Sequence, residues 1–181
     1  MKQIVACILL LWCSFAFIAC DKDMPGNPIS LQVPPAEDFY TPEELNNLLI
    51  TLIQCYDRDI IAPPDVVNAA FRNQFQNAYD IEWETCANLY KVNFEIARLD
   101  YDAVYDNQGN LLLYKYDIPN RELPAAVKQT INAKYSGYCI DDVDKVILAN
   151  FICYDVDIER NDYDIWVYIK EDGTFLYEDR R

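Results

Sequence analysis

A chain of 181 residues, 52% hydrophobic and 14% aromatic, can bury a core of its own and is not a disordered polymer. Its 30 acidic residues against 15 basic ones give a net charge of −15, a surface that repels nucleic acid and anionic membranes. Histidine is absent, which removes the commonest general base and the commonest ligand of zinc, copper or non-haem iron.

The chain opens with Met1-Lys2-Gln3 and an apolar run over residues 4–19 that ends at Cys20. Such a run is short for a membrane span and suits the apolar segment of a signal peptide. Phe17-Ile18-Ala19-Cys20 resembles the lipobox of bacterial lipoproteins, in which the cysteine becomes the lipidated first residue. The expectation is a lipoprotein signal peptide over residues 1–19 with lipid attachment at Cys20. The protein is then exported and lipid-anchored in the envelope of a Gram-negative bacterium, in the periplasm or at the outer membrane. An uncleaved anchor is the competing reading. Loss of Lys2 with the signal peptide leaves 14 basic and 30 acidic residues in the mature chain. Solubility alone explains such a charge, and a partner with a basic surface is the functional alternative.

Residues 20–40 hold Pro25, Gly26, Pro28, Pro34 and Pro35 without a hydrophobic period, which predicts a flexible tether. Thr41-Pro42-Glu43-Glu44 is a capping box with proline at the first helical position. Leu45, Leu48, Leu49, Leu52 and Tyr56 then fall on one helical face. Residues 41–63 are therefore read as an N-terminal helix and its connection, packed on an end or face of a sheet.

The remainder reads as two copies of one unit, residues 64–121 and 122–181. Pro124 lies 60 positions after Pro64, and Val127, Ile131 and Tyr135 stand where Val67, Phe71 and Phe75 stood. Tyr154-Asp155-Val156-Asp157-Ile158-Glu159 echoes Tyr90-Lys91-Val92-Asn93-Phe94-Glu95 at an offset of 64, which Gly109 and Gly173 keep. Duplication followed by one loop insertion gives such a pattern. Within each unit a helical stripe gives way to alternation of period 2, as in Tyr90, Val92, Phe94 and Ile96. That alternation predicts an antiparallel sheet with one covered face and one wet face. Asp106-Asn107-Gln108-Gly109 and Lys170-Glu171-Asp172-Gly173 predict hairpin turns, with glycine at the left-handed position. The expected fold class is α+β: two tandem helix-plus-antiparallel-sheet repeats, their helices packed on one sheet face, plus the extra N-terminal helix.

Trp83-Glu84 after the first repeat helix, the segment from Tyr90 to Glu95, the segment from Asp106 to Leu111, and Glu122-Leu123-Pro124 opening the second round resemble the PepSY-like family in order and spacing. That family is also described as β-lactamase-inhibitor-like and is common among secreted proteins of Bacteroidetes-type bacteria. The resemblance spans residues 64–181. It implies tandem helix-plus-sheet units and a non-enzymatic protein that binds or inhibits another. It transfers no catalytic residue.

The residues themselves favour the same class. Without histidine a serine nucleophile needs another base, and the mature serines are Ser30 in the tether and Ser136 beside Gly137. The acidic clusters Asp100/Asp102, Asp141/Asp142/Asp144, Asp155/Asp157 and Asp162/Asp164 sit mostly at alternate strand positions, as on an ordinary solvated face. They lack the D-x-D-x-D-G order of a calcium loop, so neither metal nor cofactor is expected. Cys55, Cys86, Cys139 and Cys153 allow three pairings in an exported protein or remain as packed thiols.

Placing the glycine turns in register pairs Val104 with Leu112 and Tyr168 with Leu176 on the face away from the repeat helices. The same parity puts Tyr114, Trp166, Asp155 and Asp157 there. Leu112, Tyr114, Trp166, Tyr168, Asp155 and Asp157 thus form the candidate binding face, since exposed aromatics on a charged surface suit protein partners. The alternative is that the N-terminal helix or the other repeat covers them as a second small core. The leading expectation is a non-catalytic, exported lipoprotein acting as a protein-binding or inhibitor-like module of the envelope, its partner an envelope protein or peptide with a basic surface. A carboxylate-based hydrolase and a passive structural component are the rivals.

Overall fold

The computed structural model describes residues 42–53, 59–60, 62–86, 88–148, 152–161 and 163–180. The expected signal peptide, Cys20 and the tether lie outside the described residues. Helix α1 spans Pro42–Ile53 and a two-residue strand β1, Asp59–Ile60, comes next. Helix α2 (Asp65–Gln74) precedes strands β2 (Tyr79–Cys86), β3 (Leu89–Ile96), β4 (Leu99–Tyr105) and β5 (Leu111–Asp117). A short 3-10 turn at Asn120–Glu122 leads into α3 (Ala125–Lys134). Strands β6 (Cys139–Leu148), β7 (Ile152–Arg160), β8 (Tyr163–Lys170) and β9 (Phe175–Arg180) complete the chain. Among the described residues the nine strands form one antiparallel sheet whose spatial order is the chain order, β1 through β9.

The two middle helices start and stop for the same reasons. Pro64 and Pro124 stand just before their first turns with φ near −55°, where a missing N–H leaves no bond unmade. At the other ends Phe75 and Tyr135 donate their N–H to the carbonyls of Phe71 and Ile131, each at 2.8 Å. Each stripe then buries: Val67, Phe71 and Phe75, and Val127, Ile131 and Tyr135, all belong to one core with alternate strand residues. Ring contacts tie α2 to the sheet, with Phe71 edge-on to Trp83 (5.4 Å) and Phe94 (5.0 Å).

The hairpin tips reach back to these helices. Gly109 (φ +85°) and Gly173 (φ +88°) hold backbone that an L side chain rarely adopts. A Cβ there would stand 3.1 Å from the Val66 carbonyl and 3.0 Å from the Ala126 carbonyl, so each tip presses on the first turn of a helix. Asp106 sets the first tip by accepting hydrogen bonds from the Gln108 and Asn110 backbone N–H groups at 2.8 and 2.9 Å.

Beyond the tips the register differs from the expected one. Val104 pairs with Leu113 and Tyr105 with Leu111, so Leu112 is an extra residue in β5. Tyr168 likewise pairs with Tyr177 and Ile169 with Phe175, leaving Leu176 extra in β9. Each is a β-bulge, and a bulge reverses the parity of everything after it. Leu112 and Leu113 both face away from the α2 and α3 side. Tyr114 is turned back into the main core, 6.2 Å from the Phe75 ring. The expected outward placement of Tyr114 is thereby corrected.

A second core occupies the opposite face. Leu49 of α1 joins Val104, Leu112, Leu113, Val146, Leu148, Cys153 and Tyr168, with Leu48, Trp166 and Tyr177 packed alongside. Leu112 and Tyr168 are therefore buried among apolar neighbours rather than displayed.

Candidate functional site

The outward face, opposite α2 and α3, changes character along the strands. At one end lies the second core. Toward the other end the outward positions become charged, and the ladder lines them up. Asn93 pairs with Asp102 and Asp102 with Lys115. One step on, Asp117 pairs with Asp144, Asp144 with Asp155 and Asp155 with Tyr168. The last step sets Asp142 against Asp157, Asp157 against Trp166 and Trp166 against Asp179.

Carboxylates directly opposite one another on neighbouring strands repel, and this face holds five such pairs among the described residues, the three just given together with Glu95 against Asp100 and Glu159 against Asp164. Lysines answer some of them. The Lys115 Nζ lies 2.5 Å from Asp144, 3.5 Å from Asp155 and 3.8 Å from Asp102. The Lys91 Nζ lies 3.0 Å from Asp102, which also accepts a short hydrogen bond from Asn93. Burial alone would lower the Lys115 ammonium, but Asp144, Asp155 and Asp102 outweigh it and hold the lysine well above its usual value. Tyr168 donates its hydroxyl to the Asp155 carboxylate at 2.8 Å.

The remaining acids are less well served. Burial, aided by a hydrogen bond with Asp144 and its charge, pushes the Asp117 carboxyl up to about 8. Burial together with Asp164, Asp141, Asp142 and Asp155 pushes Asp157 up to about 6. A bulge between Ile140 and Asp142 makes Asp141 the extra residue there, which brings it beside Asp142. Asp155 is 8% exposed, burial raises its carboxyl in spite of Lys115, and its Oδ1 has no hydrogen-bond donor. The Asp157 Oδ1 is also buried without a donor.

Of the expected face, the structure brings together Asp155, Asp157, Trp166 and Tyr168. Leu112 lies in the adjoining core and Tyr114 on the far side of the sheet. Sequence reading gives no role to Lys91, Lys115 and Asp117 and takes Asp102 and Asp144 for parts of an ordinary solvated face. Their signal is the shared outward parity, and it becomes visible only once four strands are in register. Cys86 is disulfide-bonded, whereas Cys139 is an exposed thiol and Cys153 a buried one. No group of three or more potential ligands suited to a metal ion occurs among the described residues.

With this geometry in hand, the chain can be set beside known proteins. No curated protein matches it. Among solved structures it is similar to a putative periplasmic protein from Bacteroides eggerthii, at 18% identity and a TM-score of 0.60, over 66% of this chain and 90% of that one. A DUF2874 family protein from Bacteroides uniformis gives 19% identity and a TM-score of 0.59 over 66% and 90%. A BLIP-like protein from Bacteroides fragilis gives 22% and 0.54 over 66% and 87%. Identities of this size speak for the fold alone. The family described as "Putative beta-lactamase-inhibitor-like, PepSY-like" matches residues 56–113 and again 90–177. Those spans take in more than half the chain, α2, α3, strands β2 to β8 and the start of β9, and the chain belongs to the PepSY-like family.

Proposed function

We propose that this protein is a non-catalytic binding module of the cell envelope that docks a basic protein surface on its outward sheet face. The observation that carries the reading is the set of directly opposed carboxylates on that face, Asp117 with Asp144, Asp144 with Asp155, Asp142 with Asp157, Glu159 with Asp164 and Glu95 with Asp100. A sheet gains nothing in stability from such pairs, whereas a cationic partner converts them into attraction. The inhibitor-like description of the family and the BLIP-like relative support a protein partner. The periplasmic description of another relative supports export, and Phe17-Ile18-Ala19-Cys20 supports a lipid anchor at Cys20. The hydrolase reading is disfavoured for Asp117 and Asp144, one of the opposed acid pairs on this face. Asp117 and Asp144 are hydrogen-bonded to each other, which leaves no room for the substrate or water that glycosidase carboxylates, about 5–9.5 Å apart, must admit.

The two units are further proposed to be copies of one ancestor. Matching prolines, matching helix ends and matching bulges after the glycine hairpins support this. The docking test compares envelope proteins retained by the native chain and by a variant carrying Asp141→Asn, Asp142→Asn, Asp157→Asn and Asp164→Asn. A basic partner held by the native chain and lost by the variant is the expected result. Identical retention by both would overturn the docking face.

A further inference from the structure

We propose that α1 is an autoinhibitory cover: it holds the apolar end of the outward face, on which a basic amphipathic helix of the partner docks once α1 is displaced. This rests on the docking reading and deepens it, because it names the segment that occupies the face first and the kind of element that replaces it.

The apolar end is drawn from both units. Val104 comes from β4, Leu112 and Leu113 from β5, Val146 and Leu148 from β6, and Tyr168 from β8. Both bulges enlarge it. The extra residue Leu112 faces outward beside Leu113, and the extra residue Leu176 packs there beside Tyr177. A strictly alternating strand would send one of each pair to the helix side, and bulges commonly re-aim side chains in this way at a site.

The cover is slight beside the surface it hides. Among the described residues α1 contributes Leu49, which is buried, and Leu48, which is half-buried. The family match takes in every sheet residue of this core and begins at residue 56, after α1, so the sheet of the family is defined without this helix. The charge of α1 is also the wrong one. Its 12 residues include Glu43 and Glu44 and neither lysine nor arginine, on a face that continues into opposed carboxylates. A helix with the same leucine pair and a basic exposed side keeps the apolar contact and adds attraction to the acidic strands.

A cover competes with the partner, whose apparent affinity is reduced by the fraction of chains in which the face is open. Loosening α1 therefore strengthens docking, whereas loosening a purely structural helix would weaken it.

The probe is an acetylated, amidated peptide of residues 42–53 carrying Glu43→Gln, Glu44→Gln, Asn47→Lys and Thr51→Lys, all four at exposed positions of α1. Titrated into the full chain, it should bind saturably and speed hydrogen exchange in residues 43–53 of that chain as α1 is displaced. It should bind the Leu49→Asn chain about tenfold more tightly than the native chain. The same peptide with Leu48→Asn and Leu49→Asn added should bind about tenfold more weakly, and the peptide of native sequence about threefold more weakly. Absence of binding, unchanged α1 exchange at saturation, equal affinity of either control peptide, or equal affinity of a folded Leu49→Asn chain would overturn the cover. The exchange measurement uses the native chain, so it decides even where Leu49→Asn does not fold. A basic partner lost by the fourfold variant, with no peptide bound by the native chain, would remove the helix seat and keep the docking face.

Discussion

The two faces of the sheet are built from the same strands by opposite means. The face under α2 and α3 is mainly apolar and aromatic, with Phe71, Phe75, Trp83, Phe94 and Tyr101 in linked ring contacts. The outward face is apolar only at one end, around Leu49, Leu112 and Tyr168, and elsewhere is held by charge. Burial on the first face is non-directional and insensitive to pH. The second face depends on how many carboxylates carry charge and where two lysines stand. One face therefore secures the fold, and the other can be altered by solution conditions or by a partner.

The sharpest way to break this contrast is to open the helix-side core. Phe71→Ala or Trp83→Ala should each cost about 3–5 kcal/mol in a denaturant melt, because a buried ring leaves a cavity as well as losing transfer energy. A loss under about 1 kcal/mol would mean that the core lies elsewhere. On the other face, Lys115→Met should cost about 2–3 kcal/mol at pH 7, below the 3–5 kcal/mol of a fully buried pair because the lysine keeps some exposure. Repeating the melt at pH 4 should return part of that loss, as the carboxylates left behind become protonated. A deficit that does not change with pH would make Lys115 a packing residue only.

The smallest expected effect is the pH dependence due to Asp117. Its carboxyl is raised to about 8 in the fold against about 3.9 in an unfolded chain, so the folded state holds this proton more tightly. The resulting stability is fully present below about pH 4 and is lost as the pH rises through about 8. Asp117→Asn should remove that decline and melt higher than the native protein at pH 8.5, by on the order of 1–2 kcal/mol once partial exposure is allowed for. Parallel pH profiles for the two proteins would show that Asp117 titrates as an ordinary surface acid.

Much of the fold was legible because its signals are local. The stripe of Val67, Phe71 and Phe75, its twin on α3, and the glycine tips at Gly109 and Gly173 each lie within one short segment. Tyr114 was misplaced because its side depends on one extra residue, Leu112, and an extra leucine in a leucine run leaves no mark in the pattern. The N-terminal helix was legible as a helix, but nothing along its own length says which sheet face Leu48 and Leu49 meet. The charged site was harder still. Asp102, Lys115, Asp144 and Asp155 come from four different strands, and their meeting is a property of register rather than of any motif.

That the sheet order repeats the chain order has a kinetic and mechanical consequence. Each long strand pairs only with those before and after it in sequence, so apart from the connection carrying α3 between β5 and β6 the sheet grows by closing short loops. Folding can proceed by adding one strand to the last, and strands β2 to β5 can reach their native pairing before β6 to β9 have left the ribosome. The same order sets how the protein yields under load. A pull on the free end of β9 opens the β8–β9 ladder one rung at a time, without shearing the whole edge at once. Resistance to such a pull should rise only where a strand is pinned from another layer, as at the Tyr135–Glu178 hydrogen bond between the end of α3 and β9.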